Sequence, residues 1–435
     1  MGIALLKKLN AMLPDPIKCA FAPIIRRKLI GNQVFLHQYQ LLCEADNLSE
    51  AEIQQKQTKL LKDTLIHAYE HTVFYHQHFD KVGFDPYNFT GFDDIKKIPE
   101  IEKQDIIEHL DEMQADDITD YYMATTGGST GTPLKVYLDR ESIYKERAFV
   151  YHFWSKFGYD YKTSRNASFR GTDFNGKICK YNPLYNEIQM DPCGISNETV
   201  EQYYVKMNKF GVEFLHGFPS AIYNFCKFAK AKGIDLSYKY KAVFLISENV
   251  YDFQREFIEE TLCCPVAPFY GHSERAVFAE AAGKEYHFHP LYGYTEIGED
   301  GHVICTGFIT CRTPIIRYAL DDTAKSSGEH YAITGHRQGM IYGNGGVTVS
   351  AAALEVHSSV LDKIANYQIV QDTLGEFVVR VIPVNEFKET DLNAVQELFQ
   401  NKVGAAFTVT AEAVHELEVT NRGKYKLLVQ KYKPM

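Results

Sequence analysis

A nine-residue stretch, Thr125-Thr126-Gly127-Gly128-Ser129-Thr130-Gly131-Thr132-Pro133, concentrates groups that bind phosphate. Its three glycines lack a Cβ and let successive amides point into one concavity, while four threonines and a serine add hydroxyl donors, so the loop can cradle a polyphosphate. No lysine follows the glycines, which excludes a Walker A loop. The same composition also describes a flexible surface hairpin, and on these residues alone both readings stand. Further along, Tyr270-Gly271-His272-Ser273-Glu274 sets a carboxylate beside an aromatic ring and a hydroxyl, and Tyr292-Gly293-Tyr294-Thr295-Glu296 repeats the pattern. Arg317 precedes an acidic pair, Asp321-Asp322, and Lys424 follows Gly423 late in the chain.

The elements that must hold these groups follow from pattern. Ser49 to Glu52 is a capping box, after which Ile53, Leu60, Leu61, Leu65, Ala68 and Tyr69 recur at helical spacing, so the region up to about residue 115 reads as helical. From Tyr121 the pattern becomes α/β: YYMA and LKVYL flank the Gly/Thr loop as strands, and a helix follows from about Ser142 to Phe157. AVFLI (242–246), a helix over Asp252 to Leu262 and a strand from Val266 to Tyr270 form a βαβ unit, which places Glu274 just past a strand's carboxyl end, where such sheets bind ligands. VICTGFI and PIIRYAL read as further strands. The last hundred residues form a smaller α+β unit, with strands at YQIVQD, FVVRVIPV, FTVTAEAV and LLVQ and a helix over Asp391 to Val403. The turn-rich GHRQGMIYGNGG marks the seam, dividing the chain into a large domain, 1–335, and a small one, 336–435.

Composition narrows the partners. The 435 residues are 45% hydrophobic and 23% charged, which is globular. A net charge of −10 excludes a general attraction to nucleic acid. Nine cysteines at irregular spacing, two of them adjacent at Cys263-Cys264 and none in CxxC, point to free thiols in the cytoplasm. No window reaches the roughly 18 apolar residues of a membrane span. The first residues are amphipathic and basic, with Lys7, Lys8, Arg26, Arg27 and Lys28, which permits contact with a membrane surface alongside the plainer reading of helices packed on the domain.

Taken in order, these motifs resemble those of the adenylate-forming, or acyl-adenylate synthetase, superfamily. TTGGSTGTP is similar to its phosphate-binding loop, YGHSE to its aromatic-Gly-x-Thr/Ser-Glu motif, and RYALDD to Arg-Tyr-x-x-Gly-Asp with Asp321 where glycine is usual. GHRQGMI resembles the hinge motif, and Asn421-Arg422-Gly423-Lys424 the C-terminal Gly-Lys. HAYEHTVFYHQHF, IPEIEKQDI, LHGFPSAI and LISENV resemble the phenylacetate-coenzyme A ligase-like branch, and the stretches around YGHSERAVFAEA and HRQGMIYGNGG are most similar to its capsular polysaccharide members.

The resemblance implies a large adenylate-forming domain with a small mobile C-terminal one, and ATP- and Mg2+-dependent joining of a carboxylic acid to AMP with release of pyrophosphate. Coenzyme A or another thiol or amine would then accept the acyl group. Thr125, Thr126, Gly127, Gly128, Ser129, Thr130 and Gly131 would hold phosphates, Ser273 would donate to the α-phosphate, and Tyr270 with Gly271 would flank the adenine. Glu274 would hold Mg2+ as a hard oxygen ligand. Asp322 would accept from both ribose hydroxyls, Arg317 would hold the segment or reach the nucleotide, and Arg337 would contact the ribose. Lys424 would bridge the attacking carboxylate and the leaving phosphate. Family analogy also suggests a homodimer.

Two departures count. The hinge stretch His336-Arg337-Gln338-Gly339 lacks the acidic pivot, which favours the alternative of an attenuated nucleotide- or acyl-binding member serving polysaccharide assembly. Some relatives also carry a zinc-like Cys/His cluster after the aromatic-Gly motif. Here His272, His287 and His289 follow it, but Glu280 and Ala281 stand where the cysteine would, and two histidines alternating on one strand do not make a four-ligand structural site.

Overall fold

The computed structural model describes residues 26, 30–125, 134–170, 174, 176–248, 250, 252–299, 301–328, 330–333, 340–354, 356, 358–383, 387–418 and 427–433. Helices open it: α1 (Gln33–Ala45), α2 (Glu50–His71) and α3 (Val73–Val82), with a short α4 (Lys103–His109) following. The expected capping box forms at Ser49, whose backbone N–H donates to Glu52 at 2.8 Å while Glu52 N–H donates back to the Ser49 hydroxyl. Leu61, Leu65 and Ala68 then point one fully buried stripe of α2 into the core.

Strands β1 (Tyr121–Thr125) and β2 (Lys135–Asp139) form an antiparallel hairpin in which Thr125 faces Lys135, so the two ends of the Gly/Thr loop stand side by side. Helix α5 (Glu141–Ser155) follows, its N-terminus held by the Asp139 carboxylate, which accepts from Ser142 N–H at 2.8 Å.

The central sheet comprises β3 (Asn166–Phe169), β4 (Cys179–Asn182), β5 (Glu187–Met190), β6 (Phe214–Gly217) and β7 (Ala242–Leu245), in the order β4-β5-β3-β6-β7. Apart from the antiparallel edge β4, the pairings are parallel. Strands β3, β6 and β7 are buried at every residue, as parallel strands covered on both faces must be. Helices α6 (Val200–Phe210), α7 (Pro219–Ala231) and α8 (Asp252–Leu262) pack against this unit. On the other side the indole of Trp154 stacks on Phe244, ring centroids 4.4 Å apart, and so fixes α5 to the sheet.

The βαβ unit read from the sequence needs correction at its second strand. Val266 makes a single parallel bridge to Val243, then the chain leaves that sheet, and β8 (Phe269–Gly271) begins as the edge of a different one. Pro268 explains the break, because without an N–H it cannot continue the ladder along β7. The second sheet is antiparallel: β9 (Phe278–Ala282), β10 (Glu285–Phe288), β11 (Gly293–Ile297), β12 (His302–Gly307), β13 (Tyr318–Ser327) and β14 (His330–Ile333), ordered β11-β12-β13-β14-β10-β9-β8. PIIRYAL is likewise shorter than expected as a strand. Arg317 takes left-handed backbone (φ 49°), and β13 starts only at Tyr318.

A hairpin of β15 (Met340–Tyr342) and β16 (Thr348–Ser350) leads to the last unit, a sheet ordered β19-β18-β17-β20 from β17 (Ile364–Thr373), β18 (Glu376–Pro383), β19 (Thr408–Ala413) and β20 (Leu428–Gln430), covered by α9 (Glu389–Val403). The hairpin is bonded to both sides. Asn224 and Lys227 of α7 donate to the carbonyls of Thr348 and Gly346 at 2.6 and 2.9 Å, and the Gln371 amide exchanges two 2.7 Å bonds with Tyr342. Among the described residues no helix is long and apolar enough to cross a membrane, and all cysteines are free.

Candidate functional site

The site forms where the chain passes from one sheet to the other. Beyond β8, the Arg275 N–H donates to the His272 carbonyl at 3.1 Å, closing a turn that carries Ser273 and Glu274. Arg275 takes left-handed backbone (φ 57°) and is clamped from outside: its guanidinium donates to Glu146 at 2.8 Å and to the Ser142 hydroxyl at 2.6 Å, both on α5. It also lies over the ring of Tyr122, at 5.8 Å. These contacts tie the turn to β1, the strand ending at Thr125 at the foot of the Gly/Thr loop. A non-glycine residue held at positive φ by several strong contacts is a strained feature of the kind found at functional sites.

Strand alternation separates the two aspartates of β13. Asp321 faces outward, whereas Asp322 is buried, 8% exposed, and reaches β8. There the Tyr270 hydroxyl donates to Asp322 Oδ2 at 2.7 Å, and His272 Nε2 lies 3.0 Å from the same oxygen and within hydrogen-bond reach of the hydroxyl. Burial alone would lower the His272 pKa, but the bonded Asp322 carboxylate, with Glu274 behind it, outweighs that and leaves it raised. Burial, then the charge of Asp322, pushes the Tyr270 phenol well up, so it remains a donor.

Glu274 is 6% exposed and makes no hydrogen bond or ion pair among the described residues. Its negative charge is felt by Lys103, His272, Tyr270 and Tyr318, which places it at the centre of the cluster. A buried carboxylate without a partner among the described residues suits a hard cation. The competing motif is spent otherwise: Glu296 accepts from Arg317 Nε at 3.0 Å, and a further Arg317 nitrogen donates to the Ile98 carbonyl. Of the two roles expected for Arg317, these contacts serve the first, holding the segment before Asp322 against Ile98 and Ile101.

Thus Tyr270, Asp322 and Glu274 come together, Gly271 lies in β8 beside them, Ser273 is exposed on the turn, and Thr125 stands at the end of β1. Thr126, Gly127, Gly128, Ser129, Thr130, Gly131, Arg337 and Lys424 lie outside the described residues. The histidines of the sequence argument diverge: His272 bonds Asp322, His287 is exposed beside His330, and His289 turns toward α5. Sequence reasoning missed two positions. Lys103, at the start of α4, has its pKa lowered by burial, partly offset by Asp321 and Glu274. Its only trace was a place inside the quoted IPEIEKQDI. Glu146, which fixes Arg275 from 129 positions away, left no signal at all.

Residues 341–431 match the family described as the CapK C-terminal domain. Protein CapK of Staphylococcus aureus is 28% identical over 246 residues, 54% of this chain and 55% of that one, so the chain spans about half the length of the curated relative it matches. Among solved structures, 2-hydroxyisobutyryl-CoA ligase in complex with 2-HIB-AMP and CoA in the thioesterification state superposes with a TM-score of 0.55 at 14% identity, covering 88% of this chain and 90% of that one. The same ligase in the postadenylation state with R3-HIB-AMP gives 0.53 at 14% identity over the same shares. Residues 341–431 thus match the CapK C-terminal domain family, and the chain as a whole shares its fold with 2-hydroxyisobutyryl-CoA ligase.

Proposed function

We propose that this protein adenylates a small carboxylic acid with ATP and Mg2+, releasing pyrophosphate, and passes the acyl group to coenzyme A or another thiol or amine. The observation that carries the reading is the buried Glu274, unpaired among the described residues, beside the bonded set Tyr270, His272 and Asp322. In this reading Glu274 holds Mg2+, which supplies charge neutralisation on the phosphates when bound. The Gly/Thr loop binds those phosphates, and Ser273 donates to the one under attack. Asp322, oriented by Tyr270 and His272, binds the ribose hydroxyls, Arg337 adds to that contact, and Lys424 brings the acid and the phosphate together. The small unit is a separate domain that moves between the two half-reactions. The match to Protein CapK and the capsular-type motifs support a place in surface polysaccharide biosynthesis.

The test is pyrophosphate release by the purified chain with ATP and Mg2+ against aromatic acids, amino acids and sugar acids. Release that depends on one acid class is the expected result. Silence across the set, with ATP binding shown separately, would replace this reading with a non-catalytic nucleotide- or acyl-binding role, the reading favoured by the missing hinge acid. A narrower prediction concerns Asp322→Ala. Removing a charged acceptor costs about 1.5–3 kcal/mol, so the KM for ATP should rise roughly 10- to 150-fold with the acid KM little changed. Equal changes in both constants would assign Asp322 to the fold rather than to the nucleotide.

A further inference from the structure

A second polar cluster lies away from this site, where α5, β9 and the segment after β10 meet. His152, Glu280 and His289 each bring a ligand atom to one point, all within 4.8 Å of one another. His152 and Glu280 are 3% and 7% exposed, and His152 Nδ1 and Glu280 Oε1 are both buried with no hydrogen-bond partner among the described residues. Buried polar atoms are almost always satisfied, so two orphaned acceptors in one cluster suit a bound third party. Their chemistry says which. His152 Nε2 is taken by Asp46 at 2.9 Å, so its proton sits there and Nδ1 presents a lone pair. Glu280 Oε2 is taken by Lys156 at 2.5 Å, leaving Oε1 as a charged acceptor.

The geometry points to a divalent metal site, with His152 Nδ1, Glu280 Oε1 and a ring nitrogen of His289 as ligands. Two imidazoles and a carboxylate are a borderline-soft N,N,O set that suits Zn2+, with a fourth position open. A cation placed there satisfies both orphaned acceptors at once. The outer partners are those metal sites use: Asp46 fixes the tautomer of one histidine, and Lys156 fixes the carboxylate. The ion competes with one existing bond, the 3.2 Å contact in which Leu291 N–H donates to His289 Nδ1, and that contact is long. An aromatic wall closes the site, with Phe149 edge-on to His289 at 4.8 Å and Tyr39 beside His152 at 6.0 Å. This set differs from the three histidines weighed in the sequence. It takes one of them and adds a helix residue more than a hundred positions away.

The experiment is to load the untagged full chain with Zn2+, remove excess by gel filtration and count metal by mass spectrometry, then to load the apo chain with Co2+ and record its visible spectrum. About one ion per chain and the strong visible bands of four-coordinate Co2+ are expected. Glu280→Gln, with circular dichroism unchanged, should lose the ion. That variant also separates this site from the more exposed group of His67, His71 and Asp117, which it leaves intact. Sub-stoichiometric zinc with a featureless cobalt spectrum in the wild-type chain would overturn the proposal without any variant. Metal retained in Glu280→Gln would overturn it too.

Discussion

Glu274→Gln is expected to lower acid-dependent pyrophosphate release by about 10²–10³-fold, the magnitude that accompanies loss of one electrostatic contact to the developing charge. The substitution keeps volume and hydrogen-bonding capacity and removes only the negative charge. Glu274 has no ion-pair partner among the described residues, so its loss breaks no bridge and the fold should survive. Neutralising it also relieves His272 and Lys103 of a neighbouring anion, which changes the local field but no bond. The check is steady-state release measured across a range of Mg2+ concentration. A defect partly recovered at high Mg2+ marks a metal ligand, whereas unchanged release at every concentration would remove Glu274 from the site.

Lys424→Ala is the second large effect. A cation that joins an attacking carboxylate to a leaving phosphate acts only as charge is redistributed, so its loss should lower adenylation by about 10²–10³-fold while ATP binding changes little. The strands before and after it belong to the four-stranded sheet, with β19 ending at Ala413 and β20 starting at Leu428, while Asp322 lies in the seven-stranded sheet and Glu274 just past its edge strand β8. The variant therefore asks whether the two units share one reaction. Lost release with ATP binding kept would show that they do. Undiminished release would place the chemistry in the large unit alone, and the small unit would then need another role.

The sequence by itself determined whatever acts over a few neighbouring residues. The capping box at Ser49 starts α2 because Ser49 and Glu52 satisfy each other's orphan groups, and the wholly apolar AVFL becomes a strand buried on both faces. The Gly/Thr loop falls between two strands as its flanks require. Alternation along β13 implied that Asp321 and Asp322 face opposite ways, but which side was the inner one depended on Tyr270 of β8, from the far edge of the same sheet, reaching Asp322. Tertiary structure alone decided the rest. The ladder beside β7 breaks at Pro268, so Tyr270 serves a different sheet from the one its sequence suggested. Glu146 reaches Arg275, and His152 meets Glu280 and His289, across more than a hundred positions. Periodicity and caps report on the chain's own neighbours, whereas these encounters depend on how helix α5 packs against two sheets, which no local pattern encodes.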